Sequence, residues 1–315
     1  MKIKQFFHRS LAVVLSTALS FGLASQVQAK ANSLRIGYQK NGPLLLLKNS
    51  GDLDKRLAQQ GVEVKWTEFT AGPPLLEALN VESIDFGTTG GTPPIFAQAA
   101  KTDLVYVAYD LPAPSSEAII VPKDSPARTV TDLKGKKVAF NKGSSAHYLV
   151  IKSLEEAGLK YDDIEPVFLS PSDARAAFER GSIDAWAIWD PFFAVAEEQL
   201  QPRILRNGVD QYSFYLSSRN YVTENPDIIE IVIDELNKVG KWIEANPEQA
   251  SKEFNKFLGL SYEISHKTVT RRNYGTQFLT DEIVATQQKI ADVFTDLELI
   301  PVKVNIKDVV WTPAK

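Results

Sequence analysis

The stretch KVAFNKGSSAHYLVIKSLEEAG, residues 137–158, contains the strand, turn and helix that decide the fold. Its apolar run Val138–Phe140 predicts a buried strand. A polar turn interrupts the run, and the helical pattern that follows can take either Ser144 or Ser145 as its N-cap. Gly158 predicts the left-handed residue that ends the helix. The stretch is therefore typical of an α/β fold.

A strand that turns through glycine and serine into a helix also favours anion binding. The first N–H groups of a helix have no partner within it, and the helix dipole adds partial positive charge at the same place. The alternative is that the two serines only cap the helix, which is the commoner use of such residues. This stretch alone leaves both interpretations open.

The first 29 residues have the composition of a secretory signal peptide. Three basic residues precede an apolar stretch from Leu11 to Leu23, and small residues lead to a predicted cleavage site after Ala29. The apolar stretch is too short to span a bilayer, and no later segment is long enough. We expect an exported protein without a membrane span.

Composition narrows the possible functions further. The chain has 315 residues, no cysteine and a formal net charge of −4. The absence of cysteine excludes disulfides and thiolate nucleophiles, and the negative charge argues against nucleic acid and anionic lipid as partners. An anionic ligand would need local hydrogen-bond donors.

Strands and helices alternate along the chain in two units that resemble each other. Tyr38-Gln39-Lys40 in the first unit corresponds to Phe140-Asn141-Lys142 in the second, and Glu82–Phe86 corresponds to Gly181–Trp186. This alternation predicts parallel sheets with crossover helices. Ligands of open α/β sheets bind beyond the carboxyl ends of the strands.

No catalytic motif is present. Downstream of the predicted signal peptide the histidines are His147 and His266, which are too few for a histidine-rich metal site. The sequence Ser-Ser-Ala-His at 144–147 is better explained by helix capping than by a nucleophile with its base. We therefore expect a protein that is not an enzyme and that carries no cofactor or metal.

Several motifs, in the right order over nearly all of the chain after residue 29, resemble the aliphatic sulfonate-binding proteins of ABC importers. They are Gly37–Lys40, Ala71–Pro73, Leu76–Val81, Thr89-Gly90, Pro93–Ala100, Asp132–Gly135, Lys142–Ser145, Asp173–Phe178 and Asp184–Pro191. The resemblance implies the two-lobed fold of type II periplasmic binding proteins, each lobe a mostly parallel sheet flanked by helices. Its domains would be lobe one at 30–112 and 219–315 and lobe two at 113–218, with hinges near 112–118 and 215–219.

The same resemblance implies a function. A protein of this family captures a sulfonate between its lobes, as a monomer, and delivers it to a membrane permease with a cytoplasmic ATPase. Related proteins bind taurine, nitrate or bicarbonate, and others are connected with thiamine precursors. Those alternatives for the ligand remain open at this point.

The resemblance also implies a set of ligand-binding residues. A sulfonate carries one charge and three acceptor oxygens, so hydroxyl groups and backbone N–H groups at helix starts suit it. In this family an acidic residue usually follows the Thr-Gly pair, where this chain has Gly91. The positions implied for ligand contact are Gln39, Thr88, Thr89, Gly90, Gly91, Ser144, Ser145, Trp189, Asp190 and Tyr215.

Overall fold

A computed structural model describes residues 31–313 of the chain. The predicted signal peptide and its cleavage site lie outside the described residues. Within 31–313, no helix combines the length and the apolar character that a membrane crossing requires.

Ten strands and twelve α-helices form the described part of the chain, together with four short 3₁₀ turns. The strands are β1 Ser33–Tyr38, β2 Glu63–Glu68, β3 Phe86–Gly90, β4 Leu104–Asp110, β5 Glu117–Val121, β6 Lys137–Phe140, β7 Glu165–Phe168, β8 Ala185–Trp189, β9 Arg203–Asn207 and β10 Ser213–Ser218. The helices are α1 Gly42–Ser50, α2 Asp52–Ala58, α3 Gly72–Asn80, α4 Thr92–Ala99, α5 Ser145–Glu156, α6 Pro171–Glu179, α7 Phe192–Leu200, α8 Arg219–Glu224, α9 Pro226–Ala245, α10 Pro247–Leu258, α11 Tyr262–Thr270 and α12 Asp281–Asp296.

The strands form two five-stranded sheets with the same topology. The first has the order β2-β1-β3-β10-β4 and the second β7-β6-β8-β5-β9. In each sheet the first three strands are parallel, and the fourth, β10 or β5, runs antiparallel to both of its neighbours. The two predicted α/β units are confirmed, and each sheet defines one lobe.

The chain passes between the lobes twice. The prediction that lobe two ends at residue 218, at the second passage, is wrong. Tyr215 pairs with Thr88 of β3 and with Ala108 of β4, so β10 belongs to the first sheet. Its side chains at 214–218 are all buried because the strand is enclosed in that sheet. The chain therefore returns to lobe one between β9 and β10, at residues 208–212. The first crossing, between β4 and β5, lies at residues 111–116.

Three large cores hold these layers together. One fills lobe two. The other two cover opposite faces of the first sheet, one with helices α1, α2, α9 and α10 and the other with α3, α4 and α12. Helix α11 differs, because its Ile264 packs against Ala194 and Val195 of α7 in lobe two.

The unit around residues 137–158 folds as its sequence predicts. Strand β6 ends at Phe140, α5 begins at Ser145, and Gly158 has a φ of 72° just beyond the end of the helix. The apolar face of α5 packs into lobe two, and its first turn faces lobe one.

Candidate functional site

A cavity lies between the two lobes, at the carboxyl ends of β1, β3 and β8. It encloses about 590 Å³, open solvent at its mouth included. Residues of both lobes and Ser116 of the first crossing segment form its wall. The lining residues are Gln39, Asn41, Gly42, Pro43, Gly72, Thr88, Thr89, Gly90, Pro93, Asp110, Ser116, Glu117, Ser144, Ser145, Trp189, Asp190, Ser213 and Arg272.

Four helices begin at this cavity. Gly42 of α1, Gly72 of α3, Pro93 of α4 and Ser145 of α5 all belong to the lining. None of these four helices has a hydrogen bond from its first turn to the side chain of its N-cap residue. The convergence of four such N-termini, from both lobes, gives the cavity a partial positive charge that suits an anion. Proline has no N–H and occupies the first turn of α1, α3 and α4, so α5 offers the fullest set of backbone donors.

The hydroxyl groups predicted to bind a ligand each donate to an atom of the protein. Thr88 donates to the carbonyl of Phe214 at 3.1 Å, and Thr89 donates to the carbonyl of Gly90 at 2.9 Å. Ser144 donates to the carbonyl of Asn141 at 2.7 Å, and Ser145 donates to a carboxylate oxygen of Glu117. A hydroxyl has a single proton to donate, so in this arrangement the backbone N–H groups are the donors available to an anion.

Ser144 occupies the N-cap position of α5, as predicted, but its side chain does not cap the helix. Its backbone is extended, with φ −88° and ψ 173°, which is usual for an N-cap. The hydroxyl turns back to the carbonyl of Asn141 instead of accepting from the first helical turn. The simple capping interpretation of the serine pair is therefore wrong. The N–H groups of Ser145 and Ala146 stay available, whereas the N–H of His147 donates to the carbonyl of Ser144 at 3.0 Å.

The cavity also contains a cation that the sequence interpretation missed. Arg272 lies in the extended segment after α11 and lines the cavity, and its Nε atom is buried without a hydrogen-bond partner among the described residues. Its neighbour Arg271 is instead paired with Glu197 and Asp190. Arg272 was missed because it lies outside the repeated α/β units. The Arg-Arg pair, at the point where the helical pattern of α11 stops, was the available signal.

Three buried carboxyl groups line the same cavity. Burial, together with the smaller effect of the nearby Asp190, raises the pKa of Glu117 to about 7 against the opposing hydrogen bond from Ser145. Burial likewise raises the pKa of Asp190 to about 7 against the opposing charge of Arg271. Burial also raises the pKa of Asp110. Near pH 7, Glu117 and Asp190 therefore titrate between their neutral and charged forms.

Eight of the ten predicted contact positions line the cavity. Gln39 is buried, and its side chain donates to the carbonyl of Thr88 at 3.1 Å, which ties the end of β1 to β3. Trp189 is 7% exposed and meets Phe192 edge to face at 6.2 Å. Thr88, Thr89, Gly90, Ser144, Ser145 and Asp190 complete the eight.

Two predicted positions lie outside the lining. Tyr215 is fully buried in the first sheet, where it stacks on Phe86 at 5.8 Å and donates to Asp110 at 2.7 Å. Gly91 begins α4 next to the cavity, and its carbonyl accepts from Gln287 at 2.5 Å. A Cβ at Gly91 would lie 3.1 Å from the side-chain oxygen of Gln287 and 3.2 Å from the carbonyl of Tyr212. Close packing therefore accounts for the glycine.

Away from the cavity, aromatic side chains form the contact between the two lobes. His147 of α5 lies 6.0 Å from Phe96 and 5.2 Å from Phe294, both in lobe one. Its Nδ1 accepts from the N–H of Gly143 at 3.2 Å, and its Nε2 lies 3.0 Å from the hydroxyl of Tyr161. Neither ring nitrogen contacts Ser144 or Ser145. Among residues 31–313, no group of three or more histidines and acids is placed to hold a metal ion.

The comparisons with known proteins now identify the family. The family model described as NMT1/THI5 like matches residues 57–250. A protein of Escherichia coli (strain K12) that is named for binding aliphatic sulfonates is 43% identical over 97% of this chain and 96% of its own length. The chain belongs to the aliphatic sulfonate-binding proteins.

Solved structures place the family in a wider fold. The alkanesulfonate-binding protein SsuA from Xanthomonas axonopodis pv. citri, bound to MOPS, is 42% identical, with a TM-score of 0.86 over 90% of this chain and 99% of that one. The desulfurization enzyme DSZB is only 15% identical, with a TM-score of 0.64 over 89% of this chain and 96% of that one. Because an enzyme shares the fold, the fold alone does not separate binding proteins from enzymes.

Proposed function

We propose that the protein is a periplasmic solute-binding protein that captures a sulfonate between its two lobes and delivers it to an ABC import permease with its ATPase. The observation that carries the proposal is the cavity, where four helix N-termini without side-chain caps meet Arg272, whose buried Nε has no hydrogen-bond partner among the described residues. The family's sulfonate-binding members support the same ligand class.

The chemistry of the ligand matches this cavity. A sulfonate stays ionised at all physiological pH values and offers three acceptor oxygens but no donor. Backbone N–H groups and a guanidinium fork supply donors without needing a proton from the ligand. Hydrogen bonds to a charged group contribute about 1.5–3 kcal/mol each, so three or four are enough for roughly micromolar affinity.

The proposed contact residues follow from this chemistry. The oxygens of the sulfonate accept from Arg272 and from the N–H groups that begin α4 and α5, near Gly90 and Ser145. The rest of the ligand lies against Trp189. The remaining proposed contacts are Gln39, Thr88, Thr89, Ser144 and Asp190.

The proposal also includes the removal of the signal peptide, the bounds of the two lobes and the position of the hinges. Residues 1–29 are removed after Ala29 on export, and lobe two extends from 117 to 207. Lobe one comprises residues 30–110 and 213–315. Hinge bending at the two crossings, 111–116 and 208–212, closes the lobes around the ligand. The released protein acts as a monomer, without a cofactor and without catalysis.

The test is a binding panel on the protein without residues 1–29, in a buffer that contains no sulfonate. Ethanesulfonate, taurine and a bulky aminosulfonate are compared with sulfate, nitrate, bicarbonate and a phosphonate by thermal shift and titration calorimetry. A ligand at a hundred times its Kd stabilises the fold by about 2.7 kcal/mol, which the thermal shift detects easily. We expect stabilisation by sulfonates and none by nitrate or sulfate. A response confined to nitrate or bicarbonate, or none to any sulfonate, overturns the proposal.

A further inference from the structure

The charges around the cavity do not match a ligand that is only an anion. Of the described residues that line it, the ionisable ones are the three acids Asp110, Glu117 and Asp190 and the single base Arg272. A sulfonate brings another negative charge into this buried space. A positive charge or a bound proton must balance this excess of negative charge. The hydrogen bonds of the three carboxyl groups indicate where it lies.

Two of the three carboxyl groups already have a donor for each oxygen. Asp110 accepts from the hydroxyl of Tyr215 at 2.7 Å and from that of Thr276 at 2.6 Å. Glu117 accepts from Ser145 on one oxygen and from the side-chain amide of Gln211, at 3.1 Å, on the other. These two groups are held by neutral donors of the protein itself.

Asp190 is different. Its Oδ1 accepts from the N–H of Ala194 at 3.0 Å and lies 3.4 Å from Arg271, but its Oδ2 is buried and has no partner among the described residues. The residue is only 2% exposed. A buried carboxylate oxygen without a donor is strongly unfavourable. All oxygens of a sulfonate are acceptors, so a sulfonate relieves this oxygen only when the carboxyl group takes up a proton, whereas an ammonium group donates to it in the charged form.

We propose that the preferred ligands are aminosulfonates, whose sulfonate lies against Arg272 and the helix N-termini while the ammonium group donates to Oδ2 of Asp190. Trp189, the residue before Asp190, lines the same part of the wall. The face of its indole ring suits a cation as well as an alkyl chain. The proposal rests on the proposed sulfonate-binding function and narrows its ligand class.

Three sulfonates of nearly equal size test the inference. Taurine, isethionate and propane-1-sulfonate differ only in their terminal group, which is an ammonium, a hydroxyl or a methyl. We expect calorimetry at pH 7.5 in Tris or phosphate to give taurine at least about tenfold tighter binding than propane-1-sulfonate, the ratio that one hydrogen bond to a charged group provides. Isethionate should fall between them.

Two variants locate the effect. In Asp190→Asn the ratio between taurine and propane-1-sulfonate should fall to near one. Glu197→Gln is the matched control, because Glu197 also pairs with Arg271 but does not line the cavity. It removes the same charge and should keep the preference for taurine. A preference that survives in Asp190→Asn overturns the inference.

A measurement on the unmodified protein decides the question even if Asp190→Asn does not fold. Binding enthalpies in Tris and in phosphate, whose ionisation enthalpies differ, give the number of protons taken up with the ligand. We expect uptake with propane-1-sulfonate, which must be balanced by a proton on a carboxyl group, and little with taurine. Equal affinities with equal uptake would show that protonation alone balances the site, and would overturn the inference. If no sulfonate binds, the proposed function itself fails.

Discussion

Two serines of lobe two occupy the same position in neighbouring helices and do different things. Ser144 and Ser170 are the N-cap residues of α5 and α6, and both have an extended backbone. Ser170 accepts a hydrogen bond from the N–H of Asp173, as an N-cap usually does. Ser144 donates to the carbonyl of Asn141 and leaves the first turn of α5 uncapped. The difference is that α5 begins at the cavity, while no residue of α6 lines it.

The same contrast extends to other helices and to the two adjacent arginines. The starts of α8, α11 and α12, which lie away from the cavity, are capped by Ser218, Ser261 and Thr280. The helices that begin at the cavity have no such cap. Arg271 is paired with carboxylates of the protein, whereas Arg272 is not. The starts of α9 and α10 lack a side-chain cap as well, although they lie away from the cavity. The binding site is therefore indicated by the convergence of four uncapped starts with the buried Nε of Arg272, and not by a missing cap alone.

The largest expected effect comes from the two arginines. Arg272→Gln removes the cation of the proposed site, and we expect sulfonate affinity to fall by at least about a hundredfold, as two lost hydrogen bonds to a charged group would give. Arg271→Gln instead removes the partner of Glu197, and we expect its unfolding free energy to fall by about 1–3 kcal/mol. Titration calorimetry and urea unfolding of both variants measure the two quantities.

The comparison of the arginines fails if Arg272→Gln mainly loses stability and Arg271→Gln mainly loses sulfonate affinity. The Nε of Arg272 has no hydrogen-bond partner among the described residues, but the charge of Arg272 lowers the pKa values of Asp110, Glu117 and Asp190. We expect Arg272→Gln to lower the unfolding free energy of the ligand-free protein less than Arg271→Gln does, because Arg271 also loses its pairing with Glu197. If Arg272→Gln unfolds easily and still binds sulfonate tightly, Arg272 stabilises the fold and is not a ligand contact.

His147 accepts a hydrogen bond from Gly143 in the turn before α5. Its ionisation makes the stability of the whole protein depend on pH. Burial, together with the smaller effect of the charge of Lys142, lowers the pKa of His147 to about 3. Since the unfolded chain binds a proton near pH 6.5 that the native protein does not, stability is full above that pH and falls as the pH drops towards 3. The expected loss is up to about 1.4 kcal/mol per pH unit.

The variant His147→Gln isolates this contribution. Urea unfolding of both proteins at pH 6.5, 5.5 and 4.5 should show that the advantage of the unmodified protein shrinks with acidification. The raised pKa values of Glu117 and Asp190 act in the opposite direction, because they favour the native state at low pH, but they are common to both proteins. A difference that does not change with pH would mean that His147 titrates normally.

The next largest effect is expected where the turn at Gly90 in lobe one meets the turn at Ser145 in lobe two. A Cβ at Gly90 would lie 2.9 Å from the Cβ of Ser145, so alanine at this position obstructs the contact between the lobes. Overpacking of this kind costs about 1–3 kcal/mol, and we expect Gly90→Ala to weaken sulfonate binding by about tenfold or more.

A second substitution checks that this contact is the cause. Ser145→Gly removes the opposing Cβ, so its effect on affinity and that of Gly90→Ala should be strongly non-additive. Additive losses in the double variant would indicate that Gly90→Ala acts through another neighbour.

Much of the fold could be predicted from the sequence because it depends on local patterns. Apolar runs and glycines gave the strand, the turn and the stop of the unit at 137–158, and the repeat gave two sheets of equal topology. The end of lobe two was misplaced because 211–218 has the pattern of an extended segment, and only pairing with β3 and β4 assigns β10 to the first sheet.

The site residues that could be predicted from the sequence are those that directly follow a strand. Thr88, Thr89, Gly90, Ser144 and Ser145 follow strands of the repeat and do line the cavity. Arg272 arrives from a segment without periodicity, and Tyr215 faces the core instead of the ligand. Which acceptor a hydroxyl chooses, as Ser144 and Ser170 illustrate, depends on the folded neighbourhood and not on the residue type.

The smallest expected effect tests that pair of serines directly. Ser170→Ala removes a side-chain cap and should lower the unfolding free energy by about 1 kcal/mol. Ser144→Ala removes a hydrogen bond to a carbonyl that keeps the N–H of Ser144 as a second donor at 3.2 Å, so we expect a loss of about 0.5 kcal/mol. Urea unfolding of the ligand-free variants distinguishes the two. Equal losses would mean that Ser144 does cap α5 without ligand, and that the first turn of α5 is freed only when a sulfonate binds.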